Sequence, residues 1–180
     1  MQLKHIILCI VFLYVGTLPN EETMTWDETR KLTWADFKGD PNPNSDAVAL
    51  TASGLTFGYS VKTSGRRIIG FTTSVEAHFY PNKSWYLKHK ANDYILGHEQ
   101  LHFDITELYA RKFRAHLDRL VVNQNIKTQM DQIHEAINEA LHKTQKTYDD
   151  QTQHSINVDA QKYWDTYIKD ELQKLEKYKS

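Results

Sequence analysis

Residues 92–120 read NDYILGHEQLHFDITELYARKFRAHLDRL, and the spacing of the apolar side chains in this stretch sets the architecture. Tyr94, Ile95, His98, Leu101, His102, Ile105, Leu108, Tyr109, Phe113, His116, Leu117 and Leu120 recur at i, i+3, i+4 and i+7, the period of a helix with one buried stripe. A helix of roughly thirty residues follows. Inside it stands His98-Glu99-Gln100-Leu101-His102, an H-E-x-x-H. Positions i and i+4 differ by about 40° around a helix, so both imidazoles leave the same face and can share one metal ion. Glu99 is turned about 100° from His98 and points past such an ion towards its water. Two imidazoles inside an apolar stripe are costly unless something satisfies them.

On the N-terminal side the period changes from 3.6 to 2. Leu55, Phe57, Tyr59 and Val61 alternate with polar or small residues, and so do Ile69, Phe71, Thr73, Val75, Ala77 and Phe79, which predicts two antiparallel strands joined at Ser64-Gly65 and ended by Pro81-Asn82. Before them, residues 21–46 hold LTWADF (32–37) and the turn-rich GDPNPNSD (39–46), an irregular lead-in whose Trp34 and Phe37 anchor it to the core. On the C-terminal side, Met130, Ile133, Ile137 and Leu141 predict a helix from Ile126 to Thr147, and Tyr163, Trp164, Tyr167, Ile168, Leu172 and Leu175 predict a third. The expectation is an α+β fold: N-terminal antiparallel strands, then three long helices, the first resembling the active-site helix of zincins.

A length of 180 residues fits one domain, here expected over residues 20–180. Lys plus Arg number 22 against 23 Asp plus Glu, so the overall balance makes nucleic acid no default partner. The apolar run Ile6–Val15 is too short to span a bilayer, which needs about 20 residues. With Lys4 before it and Gly16-Thr17 after it, residues 1–19 read as a signal peptide, and the protein is expected to be secreted or periplasmic. The single cysteine, Cys9, lies within that segment, so any metal in the mature chain must be held by His, Asp or Glu.

A hydrolytic zinc site needs a third protein ligand and an open position. Asp104 and Glu107 point about 140° and 160° away on the same helix, and His116 lies about 21 Å further along it, which removes all three. If the second helix returns antiparallel, its twenty-two residues carry the chain about 33 Å back, level with His102. The segment arriving there is YDDQTQHSI, residues 148–156. His154 is the leading third ligand, a carboxylate of Asp149 or Asp150 the next, and His78 or His142 stand behind them. Tyr148 is a candidate to hydrogen-bond a developing oxyanion, though a tyrosine at a helix end also serves as packing. An edge near Val75–Tyr80 offers a place for an extended peptide. Gly97, just before His98, lets a strand or substrate come close to the metal.

HEQLHFDITELYARKFR (98–114), LTWADF and YDDQTQH with Gln161 and Trp164 beyond it resemble an uncharacterised bacterial family of predicted secreted zinc-dependent proteases. The resemblance implies metallopeptidase-like chemistry with His98, Glu99 and His102, and also His154, in the family's positions. The expectation is an exported metallohydrolase acting on peptide or protein substrates, with zinc as cofactor and Glu99 as general base. The rivals are a non-catalytic zinc-binding or sensing module and a helical interaction protein.

Overall fold

The computed structural model describes residues 21–42, 44–45 and 47–180; the expected signal peptide, with Cys9 and His5, lies outside them. Its elements, in chain order, are β1 (Met24–Thr25), β2 (Ala49–Leu50), β3 (Ser53–Ser64), β4 (Arg67–Phe79), β5 (Trp85–Tyr86), α1 (Asp93–Leu117), α2 (Ile126–Thr152) and α3 (Val158–Lys174). This is the expected α+β order of antiparallel strands followed by three helices.

The period-2 stretches form a long hairpin, β3 with β4, closed by a tight turn in which Gly65 takes φ +59°. β1 pairs with the far end of β4 to give the order β1-β4-β3, and β2 pairs separately with β5. One strand position departs from the simple alternation. Lys62 pairs with Gly70 and Thr63 with Ile68, so Ile69 is the extra residue of a β-bulge. The bulge turns Ile69 outward, 50% exposed, and puts Ile68 against the core in the place expected for Ile69. The Val75–Tyr80 segment is not the open edge expected of it. His78 and Phe79 are paired on both sides, and Arg114 donates from Nε and Nη2 to the Val75 carbonyl at 3.0 and 2.8 Å.

α1 is the hub, with the sheet on one side and α2 and α3 on the other. That is why so many of its faces are apolar: Leu101, Phe103, Ile105, Leu108, Phe113 and Leu117 are all buried. Asn92 caps its start, accepting from the Ile95 amide at 3.0 Å. Trp34 stacks on Tyr86 with centroids 4.5 Å apart and Phe37 meets Phe79 edge-on at 5.2 Å, so the lead-in is anchored as its aromatics suggest. α2 runs five residues further than Thr147. Tyr148 and Thr152 are completely buried, and their packing extends the helix through a sequence whose polar composition reads as a loop.

Candidate metal centre

The first two of the three candidate donors are the imidazoles of α1, which project as their spacing requires, with Nε2 of His98 and Nε2 of His102 3.3 Å apart. The longer α2 brings Asp149 over them. Its Oδ1 stands 3.2 Å from His98 Nε2 and 3.0 Å from His102 Nε2. A tetrahedral ion with ligands at 2.0–2.1 Å separates its ligand atoms by about 3.3 Å, so the three donors have the spacing such an ion requires. Two imidazoles and one carboxylate are also a donor set suited to zinc.

Both rings are held from behind by glutamines. His98 Nδ1 donates to Gln161 Oε1 at 2.9 Å, and His102 Nδ1 donates to Gln145 Oε1. Gln145 is fixed in turn, donating to the His102 carbonyl at 2.8 Å and to Thr106 Oγ1 at 3.2 Å. With the Nδ1 protons so engaged, each Nε2 faces Asp149 carrying either a proton or a lone pair for a cation. Burial pushes the Asp149 carboxyl up, but hydrogen bonds from His102 and His98 and their charge outweigh it and hold the group well below the usual carboxylate range. Burial opposes protonation of His102, yet the Asp149 hydrogen bond and the charges of Glu99 and Asp149 raise it above its ordinary value. The cluster thus attracts positive charge at one point.

Glu99 lies beside this cluster, 4% exposed, and its Oε2 is buried without a hydrogen-bond partner among the described residues. Thr51, just after β2, donates to the Glu99 backbone carbonyl at 3.1 Å, which brings the end of β2 alongside the motif. The space in front of Gly97 is open among the described residues, and no described strand enters it.

Two other sequence candidates sit differently from expectation. His154 lies at the rim, 71% exposed in its side chain, with Nδ1 3.6 Å from Asp149 Oδ1 and outside the mutual group formed by His98, His102 and Asp149. The helix does not end before Asp149, so it is this carboxylate, rather than His154, that joins the two imidazoles in the group of mutually close donors. Tyr148 is wholly buried, stacked on His98 at 4.5 Å, and its hydroxyl donates to Gln161 Oε1 at 2.7 Å. Burial pushes that phenol far up, and the group supports His98 instead of facing an oxyanion. Asp150 pairs with Lys146, His142 is exposed on α2, and His78 meets Thr25 and Glu76 on β4. Asp104 accepts from Trp26 Nε1 at 2.7 Å, away from the cluster.

Gln145 had no distinguishing mark in the sequence beyond its position one helical turn before Asp149, and Gln161, which begins the inward stripe of α3, carries part of the family resemblance but had no role assigned from the sequence. Gln161 reaches His98 because the chain reverses sharply after α2. Gln153, His154 and Ser155 take φ of 49°, 52° and 73°, a left-handed run without a glycine. The His154 amide bonds the Asp149 carbonyl at 3.0 Å and the Asn157 amide bonds the Thr152 carbonyl at 2.8 Å, which holds the turn closed.

An α+β chain with an H-E-x-x-H helix crossed by a carboxylate from a second helix defines the class of site. Over residues 25–155 the chain matches the family described as "Bacterial protein of unknown function (DUF922)", and it belongs to that family. No curated protein and no solved structure matches it.

Proposed function

We propose that the chain is an exported zinc metallohydrolase acting on peptide bonds, with His98, His102 and Asp149 holding the ion and Glu99 serving as general base. The observation that carries this reading is the Glu99 carboxylate, buried beside the three donors with Oε2 unpartnered. A buried carboxylate without a partner is costly to keep, and a role in proton transfer accounts for one placed next to a metal cluster. When bound, the zinc ion supplies a Lewis acid that polarises a carbonyl and acidifies water. Glu99 then takes a proton from the attacking water and returns it to the leaving amine. Gln145, Gln161 and Tyr148 hold the imidazoles, and the open space before Gly97 admits the substrate backbone. Export is supported by the leader-like residues 1–19.

The test is Glu99→Gln. The variant is expected to retain about one zinc per chain while hydrolysis of a peptide library falls roughly 100- to 10,000-fold. Full activity in the variant overturns the assignment of Glu99. A wild-type protein that holds zinc and hydrolyses nothing is a binding or sensing module, and one that takes up no metal is neither.

A further inference from the structure

At the far end of α1, about 22 Å along the helix from His102, the fold gathers a second feature that the metal cluster does not explain. The α1–α2 turn is clamped to the hairpin tip by Gln124, which accepts from the Ile68 amide at 3.1 Å and donates to the Ile68 carbonyl at 3.3 Å. The turn itself is stiffened by Asn123, whose side chain donates to the Val121 carbonyl and accepts from the Asn125 amide. Two segments, residues 60–72 and 116–128, therefore share one end of the molecule. They contain Lys62, Arg66, Arg67, Arg119 and Lys127 against a single acid, Asp118. All five cations are exposed, and none forms an ion pair among the described residues; Asp118 is taken by Lys177. Taking these five from 22 cations and this one from 23 acids leaves the rest of the chain with 17 cations and 22 acids, so this end is basic on a chain that is otherwise net acidic.

Aliphatic side chains stand among these cations. Val121 is 77% exposed, Val122 39% and Ile69 50%. Ile69 is the bulged residue, and bulges re-aim side chains; here the bulge turns a large apolar group into solvent. We infer that this end of the molecule is a docking surface for an anionic lipid bilayer, with Arg66, Arg67, Lys62, Arg119 and Lys127 against the phosphate layer and Val121, Val122 and Ile69 seated among the headgroups. The chemistry selects lipid over nucleic acid: phosphate alone attracts the cations, but exposed aliphatic groups gain only where they leave water, and they give a base nothing to stack on. No helix among the described residues is long and apolar enough to cross a membrane, and a peripheral contact needs none. The surface is independent of the metal reading.

The experiment is flotation of the purified protein with vesicles of equal parts phosphatidylglycerol and phosphatidylcholine, and with vesicles of phosphatidylcholine alone. The protein is expected to float with the first and not the second, and to be released as salt is raised. A basic residue near an anionic surface is worth about fivefold in partitioning, so Arg66→Glu with Arg67→Glu should weaken binding at least twentyfold. Val121→Ser with Val122→Ser should weaken it severalfold at constant charge. Lys162→Glu with Lys169→Glu, an equal charge change on α3, should alter it less than twofold. Any contribution from residues 6–15 would appear on neutral vesicles and in every variant alike. No flotation with anionic vesicles, or an equal loss in the α3 control, overturns the inference. So does binding to a single-stranded oligonucleotide that is tighter than to vesicles and indifferent to the valine changes.

Discussion

Oδ1 of Asp149 stands 3.0 Å from Nε2 of His102, across 47 positions of sequence, and the same oxygen lies 3.2 Å from His98 Nε2. One carboxylate oxygen is therefore shared by two imidazoles of the motif, whereas His154 reaches only Asp149, at 3.6 Å, from an exposed position. This ordering predicts the response of metal affinity. Asp149→Ala should lower zinc affinity more than a hundredfold, beyond the roughly 10- to 100-fold typical of groups that only orient ligands, while His154→Ala should cost less than tenfold. Competition against a chromophoric chelator measures both. The reverse order would place His154 in the coordination sphere.

The glutamines offer a separate test of the same cluster. Each supplies a neutral carbonyl to an Nδ1 proton, so each fixes a ring without adding charge. Gln145→Leu and Gln161→Leu should each lower zinc affinity by roughly 10- to 100-fold. Gln145→Glu, which keeps an acceptor at the same reach, should recover most of the loss. An affinity unchanged by the leucine variants would mean that the imidazoles orient themselves.

Periodicity carried most of the architecture. The alternation from Leu55 to Val61 and from Phe71 to Phe79 marks the hairpin, and the stripe beginning at Tyr94 marks α1, because in both cases one face is buried and the pattern records it. What the pattern missed has specific causes. Ile69 fits the alternation, but a bulge is a property of pairing between strands and leaves no trace in one strand's periodicity. YDDQT (148–152) reads as a loop because its propensities are weak; burial of Tyr148 and Thr152 overrides them. That extension, five residues of helix, is what put Asp149 ahead of His154 at the cluster. The roles of Gln145 and Gln161 were silent, although Gln161 belongs to the family resemblance, because an amide that holds a histidine looks, in sequence, like any surface glutamine.

The left-handed run after α2 predicts a stabilising substitution. Ser155 has φ 73°, where a side chain costs about 1–2 kcal/mol that glycine avoids. Ser155→Gly should raise stability by about 1 kcal/mol after the entropy lost by the more flexible unfolded chain is deducted. Thermal melting should show this as an increase of about 2–4 °C. A decrease would mean that the serine side chain makes a contact in the turn worth more than the strain.

The last prediction concerns Glu107, which is wholly buried on α1 and faces away from the candidate metal cluster. Its Oε1 accepts from Arg111 Nε at 2.9 Å and from Arg114 Nη1 at 3.1 Å. The two arginines in turn hold the C-terminal segment, Arg111 donating to the Leu172 carbonyl at 2.7 Å and Arg114 to the Tyr178 carbonyl at 2.8 Å, while Arg114 also caps Val75 on β4. Glu107 is thus the buried carboxylate shared by the two guanidinium groups that join helix, sheet and C-terminus, with Glu176 Oε2 accepting from Arg111 Nη1 at 3.1 Å on the exposed side. Glu107→Gln keeps the shape and removes the charge, leaving a guanidinium buried at 2% side-chain exposure without its nearest neutralising partner. Breaking a buried pair in this way costs about 3–5 kcal/mol, which for a domain of this size lowers the melting temperature by roughly 10 °C. Limited proteolysis should show the bonds after Lys174 and Lys177 opening before the rest of the fold. Zinc affinity, measured below the melting transition, should stay within about threefold of wild type, because no part of this network touches His98, His102 or Asp149. A variant that melts normally would show that solvent reaches the arginines, and one that loses zinc while still folded would tie the C-terminal network to the metal cluster.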